Sequence, residues 1–142
     1  MLTKNLGLFT GDPKLLSPVT LAFVGDGVFE LLVRERLLAK GSMPANKLHG
    51  LAVQQVKAAA QAKAYPVLET LLSAEEADIL RRGRNANTSK VPKSCSPDDY
   101  RKATALEALF GYLYLRGDIA RIEELYTVAV AAMASAAAEV TA

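Results

Sequence analysis

A chain of 142 residues has room for one hydrophobic core and little more. With 51% hydrophobic and 23% charged residues it is no candidate for intrinsic disorder, and a net charge of +2 marks a polyanion binder only if the charge is local. One cysteine, Cys95, and one histidine, His49, exclude an intrachain disulfide and a Cys/His zinc cluster.

Apolar residues recur at three and four along the chain, with almost no alternating β-branched stretch, so every long element reads as helix and the class is all-α. Met1 to Thr10 has one lysine and no apolar run long enough for a secretion signal. No later segment offers the roughly 20 strongly apolar residues of a membrane span. A cytosolic chain is expected. Ser17-Pro18 is a hydroxyl cap before a proline at the first helical position, and the first helix should run to about Ala39, stopped by Lys40-Gly41. A second helix is expected from about Ala45 to Ala64, broken or kinked at Tyr65-Pro66. Ser73-Ala74-Glu75-Glu76 is a capping box that opens a short helix ending near Gly83. No periodicity survives from Arg84 to Ser96. Ser96-Pro97-Asp98-Asp99 then starts a helix to Arg116-Gly117, and Asp118 caps a last one from about Ile119 to Ala138. Without repeat or low-complexity linker, residues 1–142 are expected to form a single domain.

Two carboxylates stand in costly places. Asp26 sits among Phe23, Val24, Val28, Leu31 and Leu32, with Glu30 one turn on and Gly25 and Gly27 at its sides. An ionised acid there needs a cation, a donor or solvent, and two glycines inside a helix suggest that another backbone or a ligand comes close. Glu107 repeats the anomaly within Ala105 to Leu113, again with a glycine nearby. If the two helices pack together, Asp26 and Glu107 can share a hard divalent cation such as Mg²⁺. Pairing with Arg34, Arg101 or Lys102 is the alternative, and spacing alone leaves both open.

Residues 81–102 hold seven basic residues against two acidic ones, which leaves the rest of the chain at −3. The loop from Arg82 to Lys93 adds Asn, Thr and Ser but no aromatic residue, which suits the backbone of a duplex better than a stacked single strand. A solvated loop balancing its neighbours is the plainer reading. His49 and Cys95 stand in no recognisable catalytic pattern and receive no role.

The segment Leu21 to Glu30, with Gly25-Asp26-Gly27 at its centre, resembles the signature helix of the ribonuclease III catalytic domain, and Ala105 to Tyr114 resembles its second catalytic helix. Arg82-Gly83-Arg84-Asn85-Ala86, Lys47-Leu48-His49 and the lack of an appended double-stranded-RNA-binding domain are similar to the small Mini-ribonuclease III branch. The resemblance runs from about Ser17 to Tyr126. It implies a ribonuclease III-like helical bundle and a homodimeric, Mg²⁺-dependent endonuclease of double-stranded RNA that matures large-subunit ribosomal RNA precursors. It further implies that Asp26 and Glu107 are catalytic metal ligands and that Phe23 lies at the dimer interface. Arg82, Arg84, Asn85, Lys90 and Lys93 would then meet RNA. Longer members carry further acids where this chain has Val19, Ala22 and Thr104, so the metal shell is expected to be thin. Two rivals are a non-catalytic RNA-binding or ribosome-assembly module of the same fold and an all-α metal-dependent nucleotide phosphohydrolase.

Overall fold

The computed structural model describes residues 5–86 and 91–141, with side chains through residue 134. Among the described residues a 3-10 turn at Pro13–Leu15 is followed by six α-helices: α1 Pro18–Ala39, α2 Ala45–Val56, α3 Ala58–Glu69, α4 Ala74–Arg84, α5 Pro97–Arg116 and α6 Ile119–Thr141. The serine caps form as the sequence requires. Ser17 Oγ accepts from the Thr20 N–H at 3.1 Å and Ser96 Oγ from that of Asp99 at 3.1 Å, while Ser73 and Glu76 complete a reciprocal capping box. Gly117 ends α5 at φ 84°, a left-handed conformation that favours glycine.

The second predicted helix differs from expectation. It is two helices, and the break falls at Lys57 (ψ 145°) while α3 continues through Pro66 to Glu69. Gln61 explains the position of the break. Its Nε2 donates to Val56 O at 2.9 Å, giving a partner to a carbonyl freed at the end of α2. Pro66 costs α3 one backbone donor, but its ring lies on the exposed side, while Ala62, Tyr65 and Leu68 pack inward.

α5 occupies the centre, against α1, α3 and α4, and ten of its residues between Ala103 and Leu113 are buried. That explains why its sequence is apolar on nearly every side. α1 instead has two apolar faces. Leu21, Gly25, Phe29, Val33 and Leu37 face the core at intervals of four, whereas Val19, Phe23, Leu31 and Leu38 remain exposed. Phe29 packs against Phe110 and, edge to face, against Tyr126, with ring centroids 5.8 and 5.6 Å apart. Arg121 of α6 holds Glu76 of α4 through two 2.9 Å bonds, and Glu75 takes Lys14, Tyr112 and Arg116. The Lys14 and Tyr112 hydrogen bonds hold Glu75 down at about 2.

Candidate active site

The crossing of α1 and α5 is a backbone contact. A Cβ on Gly25 would stand 1.6 Å from the Glu107 carbonyl oxygen, and one on Gly111 would stand 2.0 Å from that of Leu21. Glycine is required at both positions because the helices have no room for any side chain between them. Of the two glycines flanking Asp26, only Gly25 serves the approach; a Cβ on Gly27 would meet open space.

This contact sets Asp26 beside Glu107. The two carboxyls lie within hydrogen-bonding reach, and burial, then the hydrogen bond and charge of Asp26, push Glu107 up to about 9. At neutral pH the Glu107 carboxyl is therefore held toward its protonated form beside the exposed Asp26. The ion-pair alternative does not form among the described residues. Arg34 is taken by Glu30 at 2.5 Å and Lys102 by Asp98 at 2.9 Å, while Arg101 borders a cavity of about 750 Å³ with Arg81 and Arg84. A buried carboxyl adjoining a second acid, with no basic side chain among the described residues to balance it, fits a divalent metal, which would be held by Asp26 and Glu107 with water and substrate oxygens completing its shell. Among the described residues no group of three or more acids, histidines or cysteines assembles. Thr104, one turn before Glu107, is buried and donates its hydroxyl to Tyr100 O at 2.9 Å.

Sequence reasoning overlooked Gln61. It shares a cavity of about 340 Å³ with Glu107, Lys57 and Tyr100, is 2% exposed, and its Oε1 has no hydrogen-bond partner among the described residues. The one available signal is a lone amide in the alanine-rich run 58–64.

The basic residues have unequal positions. Arg82 spends its guanidinium on Lys14 O and Leu16 O, at 3.3 and 3.1 Å, and so fastens the chain ahead of α1 to α4. Arg84 lies over the Tyr65 ring, 5.4 Å from its centroid, and 3.6 Å from Asp98. Asn85, which ends α4, and Lys93 are exposed; Lys90 lies outside the described residues. Phe23 is 80% exposed on α1.

Residues 19–118 match the Ribonuclease III domain family. Among similar proteins, a Mini-ribonuclease 3 of Thermoanaerobacter sp. (strain X514) is 44% identical over 128 residues, covering 89% of this chain and 90% of the relative. Another, of Symbiobacterium thermophilum, is 46% identical over 114 residues, 80% of this chain and 88% of the relative. The crystal structure of a Fusobacterium nucleatum protein superposes with a TM-score of 0.76 at 30% identity, covering 85% of this chain and 93% of the other.

Proposed function

The chain belongs to the ribonuclease III domain family and is an endoribonuclease, and from that premise we propose that it is a Mg²⁺-dependent enzyme that cuts double-stranded RNA as a homodimer. The observation that carries the reading is the Asp26–Glu107 pair, two adjoining carboxyls that no cation among the described residues balances. Asp26 and Glu107 would hold the ion, which would supply Lewis-acid activation of water and charge stabilisation for the leaving 3′ oxygen. The protein's own part is placement. The Gly25–Gly111 contact fixes the two carboxylates against each other, and the Glu30–Arg34 pair stiffens α1 beyond Asp26. No protein side chain need serve as general base.

The exposed apolar stripe of α1 supports the homodimer, with Phe23 as the residue that enters the partner subunit. Two centres on one face would then address the two strands. Arg84, Asn85 and Lys93, with Lys90, supply charge and hydrogen bonds to the duplex backbone; Arg82 contributes by holding α4 in place. Likeness to the Mini-ribonuclease 3 group supports maturation of large-subunit ribosomal RNA precursor, in the cytoplasm, as the setting.

The test is cleavage of long duplex RNA with and without Mg²⁺. Wild type is expected to cut only with the metal, and Asp26→Asn to remain folded and shift the RNA on a gel without cutting it. Equal cleavage by the cleanly purified variant would exclude Asp26 as a ligand. Binding without cleavage by the wild type would make the chain a non-catalytic module.

A further inference from the structure

α3 begins abruptly. Lys57 is extended and makes no side-chain cap, so the N–H groups of Ala58, Ala59 and Ala60 have no partner within the helix, and the positive end of the helix dipole stands there. Lys57, Ala58 and Ala59 border the 340 Å³ cavity that reaches Glu107, and Ser94 and Tyr100 also line it. The Lys57 side chain is exposed and makes no ion pair among the described residues. An anion would meet a cation and free backbone donors at this point, beside the carboxylate pair.

Gln61 adds a different demand. Its Nε2 is committed to Val56 O, which fixes the amide's orientation, because the flipped amide would set oxygen against oxygen. Oε1 is thus a buried acceptor without a donor among the described residues, in a residue that lines the same cavity. Such an atom calls for a donor brought by the ligand. A phosphodiester has no proton to give at neutral pH. In a nucleic-acid strand the hydroxyl nearest the phosphate is the ribose 2′-OH, which DNA lacks.

We propose that this cavity is a ribose–phosphate subsite for the strand being cut, with a phosphate on Lys57 and the N-terminus of α3 and a 2′-hydroxyl donating to Gln61 Oε1. The proposal rests on the duplex-RNA reading above and makes Gln61 a residue that tells RNA from DNA.

The probes are an RNA duplex and the same duplex with 2′-fluoro groups, which keep the A-form but cannot donate. Affinities are measured in EDTA, where cleavage is stopped. Wild type should prefer the RNA, and Gln61→Leu should reduce that preference about three- to tenfold, the worth of one hydrogen bond. Lys57→Ala should lower the slope of log affinity against log salt by about 0.9, one phosphate contact. An undiminished preference in Gln61→Leu overturns the hydroxyl contact, and an unchanged slope in Lys57→Ala overturns the phosphate contact. Gln61→Met, closer in shape, replaces the leucine variant if that one fails to fold. A purely structural Gln61 would lower stability yet leave the preference intact. Wild type that does not bind duplex RNA at all defeats the duplex reading itself, and is thereby told apart from failure of the subsite alone.

Discussion

Among the described residues Glu107 behaves unlike any other acid because two effects act on it in one direction. Burial and the neighbouring Asp26 raise it from 4.5 to about 9, so the fold favours its protonated form. The sign follows from linkage: the native state holds this proton more tightly than the unfolded state. The resulting stabilisation is complete below pH 4.5 and is lost as pH rises toward 9. In metal-free urea unfolding, wild type is expected to lose stability relative to Glu107→Gln across that window, and added Mg²⁺ should reverse the loss. Parallel pH curves for the two proteins would show that burial and Asp26 do not raise Glu107. Asp26 and Glu107 stood out in the sequence as charges inside apolar helices, but only Glu107 is buried; Asp26 is exposed on α1, so the burial cost expected for it does not arise. Gln61 did not stand out, since an amide in an alanine-rich run looks like an ordinary exposed position. Arg82 reads as an RNA ligand from its neighbours in sequence; the fold adds a second task, since its guanidinium donates to Lys14 O and Leu16 O, nearly seventy positions away.

Helices are placed by a few contacts with little tolerance. Gly25→Ala would drive a methyl into the Glu107 carbonyl and should cost about 3 kcal/mol or more, since backbone cannot yield as a side chain does. Gly27→Ala, facing open space, should change the stability of the monomer by no more than about 1 kcal/mol, in the stabilising direction of helix propensity. Urea denaturation of the two variants distinguishes a packing glycine from an incidental one. The α4–α6 junction depends on charge instead. Glu76 is 6% exposed and its cation is Arg121, so Arg121→Ala leaves a buried carboxylate unpaired and should cost about 3 kcal/mol by the same measurement. Helix starts were readable because serine, proline and acid act within one turn. The Lys57 break was not, because a glutamine four residues later makes it possible and Pro66 is the louder signal.

Across the whole molecule, α1 carries both the close contact with α5 and an uncovered apolar face. Its inner face meets α5 through Gly25, Asp26 stands beside that contact, and its outer face leaves Val19, Phe23, Leu31 and Leu38 uncovered. Burying such a stripe against a second copy would offset its exposure and bring two carboxylate pairs together. Phe23→Ser is expected to halve the molar mass measured by light scattering while far-ultraviolet circular dichroism stays unchanged. A wild type that is already monomeric at micromolar concentration would overturn the dimer. Arg84→Ala with Lys93→Ala should weaken duplex binding and flatten its salt dependence, because exposed cations act mainly through displaced counterions.

Local rules were enough for the helical class, most helix starts and the two acids, since capping, periodicity and the penalty for misplaced charge operate over a few residues. Spacing along the chain left open whether those acids meet each other or an arginine. That choice depends on the closeness of α1 and α5, which two glycines eighty-six positions apart make possible only once both helices are packed. The same holds for Gln61, whose unpaired oxygen exists only because α2 ends where its amide can reach.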